Sequence, residues 1–345
     1  MNFFFLTFMF AFKKLLKITL HILFVIIFIF FSTLHARNLD NFDKARSIAD
    51  YFSGILLLNE NDYENSHVFL RKLEGLENFH DTFSSKYLYS LINSGNLNQA
   101  FTFSKKLEKV EKDTFESDMV IGIYYLKNSK FDLSQRYFLK AKNREQRSLL
   151  DNYIAKSLYL WASLINLNLN EASLMLNQID NRFQNIKKIQ NVYLNCYYNS
   201  QNTEFLFNEL VSNNETDFSR YNYFYAKYLE NMNKKEKAKK IIEKSIKENP
   251  RNLLLSQYRI DLKKSKNKLI FNCKKKTNVV AEILYISANA LSSQSIFQLS
   301  NFYLNLSKYL NNNFHTFDVL LAENFYNIEN FSEAKKIYKK VSNYG

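Results

Sequence analysis

Few of the side chains that usually carry catalysis or bind metals are present, and they lie far apart in the sequence. Beyond the apolar N-terminal segment there are three histidines, His67, His80 and His315, and none of them belongs to an H-E-x-x-H motif. Neither Cys196 nor Cys273 has the second cysteine of a C-x-x-C pair, which structural zinc sites use. This inventory argues against a metal site.

Glycine is too scarce to build a phosphate-binding loop. The chain has five glycines, with no G-x-G-x-x-G or G-x-x-x-x-G-K arrangement and no G-x-S-x-G nucleophile elbow. Acid pairs do occur, Glu60 with Asp62 and Glu108 with Glu111, but we interpret them as solvated charges on helix faces. We therefore predict that the protein is not an enzyme and has no cofactor.

A run of basic residues with one acid among them, Asp261, is the remaining candidate for ligand binding. Its members are Arg259, Lys263, Lys264, Lys266, Lys268, Lys274, Lys275 and Lys276. Such a run could contact the anionic headgroups of a membrane or another anion. Base stacking is limited to Phe271, which argues against nucleic acid as the partner. The alternative is a solvated charged loop.

The formal net charge of +14 would ordinarily point to an anionic partner. Lysine greatly outnumbers arginine, however, and the chain is rich in Asn, Ile, Phe and Tyr, all of which have AT-rich codons. We attribute the charge first to the codon bias of an AT-rich, bacterial genome, with a selected anionic partner as the alternative.

Residues 1–36 have the composition of a targeting segment. Lys13, Lys14 and Lys17 precede the apolar run 18–31, and Ala36 is a candidate last residue before cleavage. Leu34 fits the small-residue rule of cleavage sites poorly, so an uncleaved N-terminal membrane anchor is the alternative. Both readings predict export of the rest of the chain, either into the periplasm or as an inner-membrane protein that faces it.

The two cysteines, Cys196 and Cys273, do not make a disulfide framework. At 77 positions apart they are predicted to be unpaired, although an oxidising compartment would allow a bridge if the fold brought them together.

One pattern recurs at intervals of 34 residues in the segments 61–73, 95–107 and 129–141. Its small position is held by Ser66, Ala100 and Ser134. Twelve residues earlier stand Gly54, Leu88 and Gly122, where a small residue would allow two helices to cross closely. The large residue that follows the small one is clearest in the pairs Ser66/Leu70 and Ser134/Phe138.

This pattern resembles the tetratricopeptide repeat, whose unit carries W-x2-L-G-x2-Y, then A-x3-F, then P. The Gly position is kept at Gly54 and Gly122, and the chain's one proline, Pro250, falls at the Pro position of the copy 221–252. The resemblance implies an all-α fold, a right-handed α-solenoid of about eight helix-turn-helix repeats in which each pair completes its core against its neighbours.

The register assigns repeats 1 to 6 to residues 40–252 and repeats 7 and 8 to residues 281–345. A degenerate copy falls within residues 187–218, and residues 253–280 form an insertion of one helix and a basic loop. No capping helix follows repeat 8, which predicts that the chain is a fragment of a longer protein or that this end is covered.

In tetratricopeptide proteins the first helix of each unit lines a concave groove that holds a partner segment. By resemblance, the groove-facing positions are Tyr51, Ile55, Leu58, Ser85, Tyr89, Ile92, Met119, Ile123, Leu126, Ser157, Trp161 and Leu164. This apolar lining predicts a groove for a hydrophobic segment. The equally weighted alternative is a tightly wound superhelix that packs these residues internally.

Together these features predict a non-enzymatic protein-protein interaction scaffold of the cell envelope. Its partner would be an unidentified protein or peptide segment, and residues 18–34 could contact the membrane. The alternatives are an adaptor that binds anions or a membrane surface through residues 259–276, and the repeat portion of a longer enzyme.

Overall fold

The computed structural model describes residues 44–145, 148–213, 216–250, 252–263 and 270–342, and the regular structure in these ranges is helical. The helices are α1 (44–59), α2 (Tyr63–Arg71), α3 (Asp81–Asn93), α4 (Leu97–Lys109), α5 (Phe115–Lys127), α6 (Phe131–Asn143), α7 (Leu149–Ser163), α8 (Leu169–Asn177), α9 (Gln184–Tyr197), α10 (Thr203–Val211), α11 (Tyr221–Asn231), α12 (Lys235–Glu248), α13 (Leu253–Lys263), α14 (Lys276–Ser292), α15 (Phe297–Leu310), α16 (Thr316–Asn327) and α17 (Phe331–Ser342). The all-α prediction is confirmed for these residues. The predicted targeting segment, 1–36, lies outside them.

The chain divides after Glu74 into two compact units, Met1–Glu74 and Gly75–Gly345. The described part of the first unit is the helix pair α1 and α2. In the second unit the pairs α3/α4, α5/α6, α7/α8, α9/α10, α11/α12, α14/α15 and α16/α17 each pack together, and most pairs also pack on the next pair along the chain. Stacking of this kind is the organisation of a helical-repeat α-solenoid. Helix α13 packs on α11 and α12, and α14 begins at Lys276, ahead of residue 281.

A residue in the left-handed conformation ends the first helix of most repeats in the second unit. These residues are Gly95, Ser129, Asn199, Asn233, Ser295 and Glu329, with φ between 55° and 78°. The next backbone N–H then donates to a carbonyl oxygen five residues back, as Lys130 does to Tyr125 at 2.9 Å, which is the Schellman form of helix end. The turn at Asn199 lies 34 residues before Asn233 and places the weakly marked copy 187–218 in the common register.

The small positions of the pattern are sites of close helix contact. A Cβ atom at Gly122 would overlap the ring of Phe138 on the next helix. In the first unit, a Cβ atom at Gly54 would lie 2.6 Å from a side-chain carbon of Leu70. Glycine is therefore needed at both positions because no space remains for a methyl group between the two helices of the repeat.

Candidate functional site

In the second unit, most of the predicted groove residues are in the core. Ile92, Met119, Ile123, Leu126 and Trp161 are at most 1% exposed. Ser157 and Leu164 are buried as well, while Ser85 and Tyr89 are half-buried. The expectation of an open apolar groove is therefore wrong for the buried positions, and the internally packed alternative describes them.

Two helices from the C-terminal part of the chain cover these residues. Helix α15 packs on α3 and α5, and α14 packs on α5 and α7, so that both lie against the first helices of repeats 2 to 4. Tyr89 of α3 stacks on Phe302 of α15, with ring centroids 4.6 Å apart. The ammonium group of Lys127 donates to the backbone carbonyl oxygen of Leu310 at 3.1 Å. The solenoid thus fills its own interior.

The first unit contains the other predicted groove positions. There Tyr51 and Ile55 on α1 are half-buried and Leu58 is buried. Outward from them, Ile48, Phe52 and Leu56 form an exposed apolar stripe, which we call the α1 stripe; these side chains are 58%, 65% and 59% exposed. The predicted groove residues of α1 therefore border a surface that the described part of the first unit leaves open.

Trp161 takes part in a buried hydrogen-bond chain. Its indole N–H donates to the side-chain oxygen of Gln190 at 3.0 Å, and the Gln190 amide nitrogen donates to the hydroxyl oxygen of Ser157 at 3.0 Å. Both acceptors are fully buried. Because unpaired polar atoms are costly in a core, this chain orients α7 against α9 and does not present Trp161 to a ligand.

An ion pair with a fully buried carboxylate joins Glu282 of α14 to Arg220, the residue before α11. The Arg220 guanidinium donates to both carboxylate oxygens of Glu282, at 2.8 and 2.9 Å, and lies 4.0 Å from the centre of the Tyr285 ring. Burial raises the pKa of Glu282, although Arg220 opposes that shift. This bidentate pair fixes the position of α14 in the interior because the fully buried Glu282 carboxylate cannot be left there without a cation.

The described members of the basic run do not form one surface, because some are exposed and Lys276 is buried. Arg259, Lys274 and Lys275 are exposed, whereas Lys264, Lys266 and Lys268 and the side chain of Lys263 lie outside the described residues. Lys276 is 6% exposed, sits over the ring of Phe131 at 4.3 Å and donates to the carbonyl oxygen of Ala162 at 3.4 Å. Burial lowers the pKa of Lys276 to about 8, against an opposing effect of Asp132. Lys276 therefore does not belong to an anion-binding surface.

Cys196 and Cys273 form a disulfide, with Cα atoms 6.0 Å apart. The prediction that they are unpaired was wrong, because the insertion returns to the end of α9 and brings the two thiols together. The bridge ties α9 to the residues that lead into α14.

A cavity of about 390 Å³ adjoins the disulfide and is lined largely by polar side chains. Its one carboxylate, Glu204, is paired with Lys234 and Lys237, which lower its pKa. The cavity therefore presents no free acid.

The remaining candidate chemical groups have local structural roles. The side chain of Asp62 accepts a hydrogen bond from the backbone N–H of Asn65 at the start of α2. The Nδ1 atom of His80 accepts one from the backbone N–H of Phe83 at the start of α3. Glu108 is bound by Lys105 and the Tyr137 hydroxyl, so it is not the free solvated charge that we expected. The Nδ1 atom of His315 lies 3.3 Å from the Oδ2 atom of Asp318.

The described ranges contain neither a metal-binding cluster nor a helix that could span a membrane. No group of three or more His, Cys, Asp or Glu side chains there is arranged to hold a metal ion. Among the helices described, none has both the length and the apolar character needed to cross a bilayer.

A second exposed apolar surface lies on the last repeat. Tyr326 of α16 and Phe331 of α17 are 59% and 56% exposed, and their rings meet edge to face with centroids 5.3 Å apart. Tyr338, seven residues further along α17, is 40% exposed. We call these three residues the C-terminal aromatic face. The sequence pattern does not mark them as a site, because single exposed aromatics have no distinguishing local pattern.

No protein-family model matches the chain, and no curated protein is similar to it. Among solved structures, it is similar to a monomeric mutant of IFIT1 with Gppp-AAAA, at 14% identity and a TM-score of 0.30, over 84% of this chain and 68% of that one. It is also similar to Naa15/Naa10 bound to HypK-THB, at 12% identity and a TM-score of 0.25, over 87% of this chain and 64% of that one. Likenesses this distant identify no function.

Proposed function

We propose that the protein is a non-enzymatic scaffold of a bacterial cell envelope that binds a segment of a partner protein on the C-terminal aromatic face. The observation that carries the proposal is the contact between Tyr326 and Phe331, two aromatic rings that remain more than half exposed. Tyrosine and phenylalanine are enriched in protein-protein interfaces, because large rings bury much apolar area with little loss of conformational freedom.

Because the interior of the second unit is filled, the C-terminal aromatic face is better supported as a binding surface than the concave side. A partner segment could reach Met119 or Trp161 only if α14 and α15 left the core, which would break the Arg220–Glu282 pair. The aromatic face needs no such rearrangement. Tyr338 extends it, and the pKa of Tyr338 is raised by burial and by the nearby Glu323 and Tyr326.

Export is supported by two independent features. The N-terminal sequence has the basic and apolar regions of a targeting segment, and Cys196 and Cys273 are placed for a disulfide, a bond that persists mainly in oxidising compartments. A thiol-reactive maleimide added to denatured, unreduced native protein should label neither cysteine. Labelling of both cysteines before reduction would contradict the proposed compartment.

Photo-crosslinking in native cells tests partner binding. Benzoylphenylalanine is placed at Tyr326 or Phe331, and in a matched control at Phe205 of α10, which is 67% exposed and outside the aromatic face. We expect one crosslinked protein from both test positions, absent from the control, and weakened when Phe331→Ser accompanies the probe at Tyr326. Equal products from all three positions, or none from the two test positions, would overturn the proposal.

A further inference from the structure

Helix α1 has two apolar sides, only one of which is used within the first unit. Its packing side includes Gly54, which approaches Leu70 of α2, and whose carbonyl oxygen accepts from the hydroxyl of Ser66 at 2.8 Å. The α1 stripe lies elsewhere on the helix. Ile48, Phe52 and Leu56 follow each other at intervals of four residues and so share one side. A surface helix normally carries polar residues there.

Within residues 44–59 the charged side chains are Lys44, Arg46 and Asp50. Lys44 and Arg46 are exposed. Asp50 is neutralised by Lys72, whose ammonium nitrogen lies 3.0 Å from the carboxylate. The next acid along the chain, Glu60, comes after the end of the helix. An apolar stripe flanked by Lys and Arg is the composition of helices that lie in the interface of anionic membranes.

The apolar run before α1 limits the distance between this helix and any membrane that contains that run. The apolar run ends at residue 31 and the described part of α1 starts at residue 44, so 12 residues separate them. A fully extended chain of that length reaches about 40 Å. If residues 18–31 are in a bilayer, these 12 residues keep the described start of α1 within about 40 Å of the bilayer surface. The tether then raises the effective concentration of lipid headgroups at the α1 stripe.

We infer that α1 lies on the surface of an anionic lipid bilayer, with the α1 stripe at the boundary of headgroups and acyl chains and with Lys44 and Arg46 among the headgroup phosphates. The inference goes beyond the proposed partner binding. It concerns the other compact unit and does not depend on the C-terminal aromatic face.

Fluorescence quenching by brominated lipid tests this inference in the full chain. The protein is reconstituted into vesicles of phosphatidylglycerol and phosphatidylethanolamine, with or without bromine on the acyl chains. Phe52→Trp reports on the stripe, and Phe205→Trp, at 67% exposure against 65%, is the matched control. The native Trp161 is buried and supplies the background signal in both.

We expect brominated lipid to reduce the added emission of Phe52→Trp by about half or more, because bromine quenches only at short range from the acyl chains. Phe205→Trp should not be quenched beyond the Trp161 background. Adding Ile48→Gln and Leu56→Gln to Phe52→Trp should abolish the quenching, while the emission of Trp161 reports that the fold is kept.

Three results would overturn the inference. Equal quenching at positions 52 and 205 would mean that the stripe has no special contact with lipid. A blue-shifted, unquenched Phe52→Trp signal that grows with protein concentration would mean that a second copy covers the stripe. Quenching of the same size in pure phosphatidylcholine would remove the role of Lys44 and Arg46. None of these results bears on crosslinking at Tyr326, so the two proposals can fail separately.

Discussion

The hydroxyl of Ser134 donates a hydrogen bond to the backbone carbonyl oxygen of Gly122 at 2.9 Å, across the two helices of one repeat. The same bond joins Ser300 to Ala288 at 2.8 Å, 12 residues apart as before. A buried hydroxyl needs a partner, and at this crossing the carbonyl of a small residue is close enough to accept. At these two crossings the repeated spacing therefore places a hydrogen bond as well as apolar contacts.

Replacing Gly122 with alanine should destabilise the protein. The new methyl group would overlap Phe138, and overpacking of this kind lowers the free energy of unfolding by about 1–3 kcal/mol, despite the better helix propensity of alanine. Chemical denaturation followed by circular dichroism measures the change. The double variant Gly122→Ala with Phe138→Leu should recover part of the loss. A Gly122→Ala protein as stable as the wild type would show that the helices are not in close contact.

Met119→Ala distinguishes a core residue from a groove residue. Because Met119 is fully buried, the loss should be about 2–5 kcal/mol in the free energy of unfolding. Leu174→Ala is the matched control, since Leu174 is 66% exposed and its truncation should change stability by no more than about 0.5 kcal/mol. If the two variants were equally stable, Met119 would have to face solvent.

Removing one partner of the buried ion pair should be worse than removing both. Arg220→Met leaves the Glu282 carboxylate buried without its partner, which should lower the free energy of unfolding by about 3–5 kcal/mol. Arg220→Met with Glu282→Met should be much closer to the wild type, because no charge is then left in the core. A double variant that loses as much as the sum of the two single variants would contradict a coupled pair.

The pH dependence of Arg220→Met follows from the sign of the Glu282 shift. Burial raises the pKa of Glu282 in the folded state, and without Arg220 nothing opposes the shift. The folded state then binds the proton more tightly than the unfolded state. Stability should be highest below the ordinary pKa of a glutamate and fall as the pH rises. Denaturation midpoints from acidic to neutral pH measure this slope, and a flat profile would count against a buried carboxyl.

The disulfide should make a large contribution to stability because it spans 77 residues of sequence. The chain-entropy relation gives about 4.5 kcal/mol for closing a loop of this length. Cys196→Ser with Cys273→Ser should therefore unfold at lower denaturant concentration than the oxidised wild type. The wild type measured with excess reductant should match the variant. If reductant had no effect on the wild type, the bridge would not be formed in solution.

Lys276 should make the protein more stable as the pH rises. Its folded-state pKa of about 8 lies below the ordinary value of 10.5, so between these two values the unfolded state binds more protons. Stability then increases with pH across that window. Lys276→Met should remove the increase and be more stable near pH 7, on the order of 2 kcal/mol. The measurement compares denaturation midpoints of the two proteins from pH 7 to about 10.5. Parallel profiles would contradict the prediction.

Some features of the interior have a signal in the sequence that is not part of the 34-residue repeat pattern. Between residues 277 and 307 the only charged side chain is Glu282. Helices without a charged face are buried on all sides. That composition could have identified α14 and α15 as internal helices, and a single acid in an apolar run could have been recognised as one that needs a buried cation.

Other features had no local signal. Arg220 lies 62 residues from Glu282, and Cys273 lies 77 residues from Cys196. Nothing near either residue indicates its partner, because the distance between them depends on how many repeats the chain stacks before it returns. The exposure of the α1 stripe and of Tyr326 is likewise a property of what packs beside them.

The amino-acid sequence by itself determined the helix pairs, their 34-residue register and the small residues at their crossings. Each of these depends on contacts within one repeat, between residues close in the chain. Only the tertiary structure decided that the concave side is closed and that Lys276 and Trp161 are buried. These outcomes depend on α14 and α15 meeting α3, α5 and α7, and such contacts arise from the summed rotation of many repeats, which no short segment of sequence records.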